Sequence, residues 1–263
     1  MPCGPDMCSA RRVAEALRSG HEVSDAAFDA LLPDRPRAWS KTFWTPVAVA
    51  MVASEWLRQS GVKRLLDVGS GAGKLCSIAS LLLGQRVFGV EQRPHLAGAA
   101  RELARSLGAD VEILDGTFDQ ISAGEFDAFY FYSPFDEQVS DPAYQYDRRV
   151  AFSDDRYFDD LETVEAWLNA ARVGTTLVTY HGMGGRIPTS FCVEKEQNVG
   201  TGRLRLWVKR ALHAREFFVE VGDALQTGSE LRALLARLEL SEEESPILHR
   251  LAHGGARTGA GVR

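Results

Sequence analysis

Residues 65–73 read Leu-Leu-Asp-Val-Gly-Ser-Gly-Ala-Gly, an apolar run that leads through a carboxylate into three alternating glycines. This stretch constrains the fold more tightly than any other. A buried strand has to turn sharply into a helix here. Glycine supplies the positive φ angles and the missing side-chain volume that such a turn needs beside a bound group. Asp67 lies two residues before Gly69, where a strand-end carboxylate faces a positively charged ligand. The spacing also separates cofactors. A dinucleotide-binding turn uses G-x-G-x-x-G, whereas Gly69-x-Gly71-x-Gly73 closes one residue early and is followed by Lys74.

From Lys63 onward, apolar runs of strand length alternate with helical patterns, which predicts βαβ units and a parallel sheet. Strands are predicted at 63–68, Arg86–Val90, Asp110–Leu114, Phe126–Tyr132, Thr175–Tyr180, Ser190–Glu194 and Arg203–Lys209. Leu75, Ile78, Ala79 and Leu82 share one helix face before Gly84, and Leu96, Ala99, Ala100, Leu103 and Leu107 form a stripe between Pro94 and Gly108. Asp159 or Asp160 is expected to cap a helix with Leu161, Val164, Leu168 and Ala171 inside. The last strand alternates Leu204, Leu206 and Val208 with Arg203, Arg205 and Lys209, as a half-exposed strand does. Residues 1–60 read as a helical cap with amphipathic pieces near Ala10–Arg18, Asp25–Leu32 and Pro46–Leu57. The core is expected over 61–221, with an acidic insertion at about 136–160. Residues 222–263 hold one predicted helix, Ser229–Leu238, and a Gly- and Arg-containing flexible tail.

Together with Asp67, the glycine turn resembles the D/E-x-G-x-G-x-G motif of class I S-adenosylmethionine (SAM) dependent methyltransferases. The resemblance implies an α/β fold: a Rossmann-like, seven-stranded, mostly parallel sheet with helices on both faces and a reversed last strand. It also implies SAM as cofactor, leaving as S-adenosylhomocysteine. Ligands of open α/β sheets bind beyond the carboxyl ends of the strands, so the strand ends carry the candidates. Asp67, Gly69, Ser70, Gly71 and Gly73 end the first strand, Glu91 and Gln92 the second, and Asp115, Gly116, Thr117 and Phe118 the third. In the family, the acid at the place of Glu91 accepts two ribose hydroxyls. Asp115 resembles the acid that meets the adenine amino group, with Gly116 leaving room for the ring and Phe118 packing on it. Ser70 and the amides of 71–74 would surround the methionyl part. The turn followed by Phe88-Gly89-Val90-Glu91 is similar to the non-SET histone-lysine methyltransferases, over the cofactor half alone.

Strand four leaves through Tyr132-Ser133-Pro134-Phe135-Asp136. Families that methylate amide or exocyclic amino nitrogens carry [D/N/S]-P-P-[Y/F/W] here, and this chain is one proline short. Ser133 and Phe135 are the candidates to hold the nucleophile. Methyl transfer from a sulfonium needs alignment and exclusion of water, and a base only for a protonated nucleophile. Tyr132, Asp136, Glu137 and His181 are the candidate bases. Between 136 and 165 stand ten acidic residues against Arg148, Arg149 and Arg156, with Tyr144, Tyr146, Phe152, Tyr157 and Phe158 interspersed. Such a loop suits a cationic amine. With Trp39, Phe43 and Trp44 it is expected to close over the acceptor.

The net charge of −6 argues against nucleic acid as a partner. The uncharged run Thr42–Ser54 falls short of the about 18 residues a membrane helix needs. Without a signal-peptide pattern, a cytoplasmic protein is expected. Cys3 and Cys8 lack the partners of a zinc site, so no metal is expected; Cys76 and Cys192 read as small core residues. The reading is a methyltransferase acting on a small-molecule acceptor, an amine nitrogen favoured. A protein (lysine) methyltransferase and a non-catalytic SAM-binding regulatory subunit are the alternatives.

Overall fold

The computed structural model describes residues 5–146, 149–150 and 152–211. Cys3, Arg148 and the predicted helix Ser229–Leu238 lie outside the described residues. The chain opens with five helices: α1 (Pro5–Arg18), α2 (Asp25–Asp29), α3 (Asp34–Ala38), α4 (Ser40–Phe43) and α5 (Val47–Gln59). Ser24 caps α2 by accepting the Ala27 N–H. Helices α3 and α4 are single turns, too short to leave a periodic signal, and neither is predicted from the sequence.

The core follows as β1 (Leu65–Val68), α6 (Lys74–Leu83), β2 (Val87–Glu91), α7 (Pro94–Leu107), β3 (Val111–Asp115) and β4 (Ala128–Tyr132). Then come α8 (Asp136–Val139), α9 (Asp154–Asn169), β5 (Thr176–Tyr180), β6 (Phe191–Val199) and β7 (Gly202–Lys209). The strands lie in the order β3-β2-β1-β4-β5-β7-β6. β1 to β5 are parallel and β7 runs antiparallel to both its neighbours. Alternation along β1 sends Leu65 to one layer, with Leu57 of α5 and Ile78 of α6, and Leu66 and Val68 to the other, with Trp167 and Leu168 of α9. Helices therefore cover both faces, and the carboxyl ends of the five parallel strands share one edge.

Three details differ from the sequence reading. α9 begins at Asp154 on a Ser153 cap, which accepts the Arg156 N–H; its polar first turn lies ahead of the apolar stripe, so a cap at Asp159 or Asp160 comes too late. Cys192 is exposed, because β6 is an edge strand with an open face. Lys209 is buried, and its ammonium donates to the carbonyls of Leu168, Asn169 and Ala171 at 3.0, 2.6 and 2.8 Å. A cation there satisfies the open carbonyls at the end of α9 and complements its dipole. No helix among the described residues is long and apolar enough to cross a membrane.

Candidate active site

After Val68 the backbone passes through Gly69, Gly71 and Gly73 at φ +75°, +55° and +76°, the last being the N-cap of α6. These left-handed angles cost glycine little and other residues more. The N–H groups of Gly69 and Ser70 donate to the Val90 carbonyl at 3.1 and 2.9 Å, which fastens the turn to the end of β2. One residue on, Glu91 is buried and gripped at both oxygens. Gly71 N–H donates to Oε2 at 2.9 Å and Arg93 N–H to Oε1 at 2.8 Å. A carboxylate has about four acceptor sites, so Glu91 keeps capacity for two hydroxyls. Burial pushes its pKa up, opposed by the Arg93 amide and charge and by the Gly71 amide. Its carboxylate lines a cavity of about 590 Å³.

Gly89, paired with Asp67 across β1 and β2, makes the turn's approach possible. A Cβ there would stand 2.6 Å from Ser70 Cβ and 2.9 Å from Cys76 Sγ. A glycine inside a strand is the signal that marks this position in the sequence. Asp67 is itself buried. Burial raises its pKa to about 7, opposed by the Cys76 thiol, which donates to Oδ2 at 3.3 Å, and reinforced by Glu91. A raised carboxyl pKa means that folding takes up a proton between about pH 4 and pH 7. This contribution to stability is present in full below the unfolded value and lost as pH rises through the folded one. Asp67→Asn should therefore flatten the fall in unfolding free energy between about pH 4.5 and 7.5, a fall of roughly 1.4 kcal/mol for each pH step crossed. Urea titrations at the two ends of that window read the difference, and an unchanged slope would count against it.

Asp67 and Ser70 border a crevice of about 20 Å³ beside the main cavity, shared with Lys74, Tyr130 and Tyr132. Ser70 Oγ is buried with no hydrogen-bond partner among the described residues. The N-terminal helices build the wall above. Thr42, Phe43 and Trp44 line the cavity, and the Trp44 ring fills the space over Gly71 that a Cβ would need. Trp39 does not line it; it packs on Phe43 instead. Beneath the turn, Lys74 Nζ donates to Asp25 at 2.6 Å, Asp29 at 2.7 Å and Ser40 Oγ at 3.4 Å.

At the end of β3, Gly116, Thr117 and Phe118 line the cavity, and Phe118 packs against Phe135 and Trp167. Asp115 does not line it. Its side chain is 62% exposed and is bonded by Arg101 of α7 at 2.6 Å, so the adenine contact read from the sequence lacks support here. Asp119, which the sequence reading passes over, lies on the lining. The space beside Gly116 holds the Gln120 amide.

Across the cavity stand Tyr132, Ser133, Phe135, Asp136 and His181, five of the six reacting-side candidates, with Glu137 beside them. The ends of β4 and β5 bring them together, in register Tyr132↔Tyr180. Ser133 takes φ +37° and His181 φ +59°. Ser133 N–H donates to the Gly182 carbonyl at 3.2 Å, locking the two strand exits. The His181 ring stacks on Tyr132 at 5.8 Å and occupies the space that a side chain at Gly202 would take. Partial burial raises the Asp136 carboxyl pKa, opposed by Ser133 and by His181. Tyr132 is raised by burial and by Tyr180 and Asp136.

Glu137, a candidate base by sequence, has both its oxygens engaged. Arg93 Nη2 donates to one at 2.8 Å and Tyr146 N–H to the other at 2.7 Å. The acidic loop also reaches the end of β2: Arg156 donates to Gln92 Oε1 at 3.1 Å, and Phe152 and Asp160 line the cavity.

The family model for protein-L-isoaspartate(D-aspartate) O-methyltransferases matches residues 33–137. The chain is 32% identical over 82 residues to the ribosomal protein L11 methyltransferase of Symbiobacterium thermophilum, a match covering 30% of this chain and 27% of that protein. It thus spans about a quarter of that relative's length. Among solved structures it is similar to an RNA methyltransferase from Salinibacter ruber in complex with S-adenosyl-L-homocysteine, at 19% identity and a TM-score of 0.44, covering 62% and 92% of the two chains. It is also similar to a methyltransferase from Geobacter sulfurreducens, at 16% identity and a TM-score of 0.44, covering 70% and 95%. The sheet order, the helices on both faces and the reversed β7 give this chain a Rossmann-like, seven-stranded α/β fold.

Proposed function

We propose that this chain transfers the methyl group of SAM to an amine nitrogen of a small-molecule acceptor. One observation carries the reading. Glu91, held by two backbone amides beside the glycine turn, opens into the same cavity as Tyr132, Ser133, Asp136 and His181. SAM, when bound, supplies an activated methyl on a sulfonium. Glu91 has acceptor capacity left for ribose hydroxyls, Val68, Val90 and Phe118 offer apolar surface for the base, and the unpartnered Ser70 hydroxyl suits the methionyl end. On the reacting side, Ser133 and Tyr132 orient the nucleophile, while Asp136 or His181 takes the proton of an arriving ammonium. Partial burial suits Asp136 to that task, since a base works best with a pKa drawn toward the operating pH.

The charges on the lining favour an amine. Of the carboxylates, Glu137 and Asp160 are paired with Arg93 and Arg156. Asp136 remains to meet the acceptor, on a lining that also carries the rings of Tyr132, Tyr144 and Phe43. A cation gains from both charge and rings. An acceptor carboxylate, as in the isoaspartyl reaction of the matched family's name, would be repelled there.

Calorimetry with SAM, S-adenosylhomocysteine and NAD tests the donor, with binding expected for the first two alone. Labelled-methyl transfer from SAM in host lysate, fractionated into protein, RNA and small molecules, tests the acceptor. We expect label in the small-molecule fraction. Label in protein would favour a protein amine acceptor, and binding without transfer a regulatory subunit.

A further inference from the structure

Glu91, Arg93, Glu137, Tyr146, Trp44 and Gly71 form a closed ring. Arg93 N–H donates to Glu91 Oε1 at 2.8 Å, and the guanidinium of the same residue donates to Glu137 Oε2 at 2.8 Å. The other Glu137 oxygen accepts Tyr146 N–H at 2.7 Å. The Tyr146 ring, 2% exposed, lies 5.7 Å from the Trp44 ring, which covers Gly71. Gly71 N–H closes the circuit on Glu91 Oε2 at 2.9 Å. Tyr146 is fixed from the far side as well: Arg35 donates to its carbonyl at 2.7 Å and stands over its ring at 4.9 Å. The Arg93–Glu137 pair is shielded, with side chains 9% and 12% exposed. Every link is a directional bond or a packed ring, and the two carboxylates, Glu91 and Glu137, are each held at both oxygens.

We propose that Glu137 is a positioning residue that couples the donor carboxylate Glu91 to the segment 136–146, so that filling the donor site fixes the wall against which the acceptor lies. This rests on the reading of the cavity as a SAM site. Hydroxyls arriving on the remaining acceptor positions of Glu91 fix its carboxylate, and with it the amides of Gly71 and Arg93. Arg93 carries that constraint to Glu137, and Glu137 to the Tyr146 amide. In a shielded network each bond polarises and steadies the next. The consequence is an order of binding: donor first, acceptor second.

The Tyr146 amide is the ring's own reporter. Residue-resolved hydrogen exchange is measured across 136–146 with and without S-adenosylhomocysteine, whose affinity is read in parallel by calorimetry. In the wild type, S-adenosylhomocysteine should slow exchange of the Tyr146 amide by about two- to thirtyfold, the span that coupling networks carry. Glu137→Gln, which keeps the shape and loses the charge, should still bind S-adenosylhomocysteine but lose that slowing. Tyr146→Ala keeps the backbone amide and its bond to Glu137 and removes only the ring packed on Trp44, so the slowing at residue 146 should persist in it. Binding without slowing in the wild type, or slowing that survives in Glu137→Gln, overturns the coupling and leaves the donor reading intact. Absence of binding to the wild type overturns both.

Discussion

Replacing Glu91 with alanine should weaken S-adenosylhomocysteine binding by at least ~1.5–3 kcal/mol, the value of one charge-assisted hydrogen bond. That corresponds to roughly ten- to a hundredfold and more in the dissociation constant. The fold should suffer too. Glu91 is the acceptor for the buried amides of Gly71 and Arg93, and each amide left without a partner costs about 1–3 kcal/mol. Glu91→Gln separates the two effects. It retains one oxygen and nearly the same volume, so it should lose donor affinity with a smaller loss of stability. Calorimetry gives the first quantity and urea unfolding the second. A Glu91→Ala protein that binds as tightly as the wild type would remove this residue from the site and, with it, the main support for the proposed donor.

A second large effect is expected at Lys74. Its ammonium is 2% exposed and meets Asp29, itself 12% exposed, along with Asp25, Ser40 and the face of Phe28 at 5.6 Å. Lys74→Met strands the Asp29 carboxylate in a dry setting, which typically costs ~3–5 kcal/mol. Replacing both partners, as Lys74→Met with Asp29→Leu, should recover much of that loss, because a buried pair exchanged for apolar groups is often close to neutral. Urea titrations of the three proteins decide it, and a single variant as stable as the wild type would sink the idea. Asp25 also accepts the Val47 N–H at the start of α5, at 2.9 Å. The single substitution should thus loosen the Trp44 wall and lower donor affinity along with stability.

What can be read from the sequence is local. The glycine turn, the carboxylate ending β2 and the Tyr132–Asp136 exit from β4 each announce themselves within a few residues, because a strand end and its turn form a contiguous unit. His181 is found the same way, as the last polar residue after a buried strand. Pairings made across the chain cannot be read so. Asp115 sits at a strand end like Glu91, yet Arg101, one helix earlier, draws its carboxylate away from the cavity. Glu137 has the position of a base, but Arg93 and the Tyr146 amide use both its oxygens. Trp44 lies far from Gly71 in sequence, and only the packing of α4 and α5 puts its ring there. Lys209 fits an exposed strand pattern by its alternation, but the open end of α9 gives it a reason to be buried.

The order β5-β7-β6 has a consequence for how the molecule is made. As the chain is synthesised, β6 precedes β7, yet it has no place in the sheet until β7 has gone in beside β5. The edge of β5 therefore stays open until about residue 209 is available, a bare row of donors and acceptors of the kind that invites pairing with a neighbour. The same late arrival brings Gly202 under the His181 ring. A nascent chain thus acquires its glycine turn early and the seat of its His181 ring only at the end. A truncated product would hold the glycine turn without the strand that seats His181.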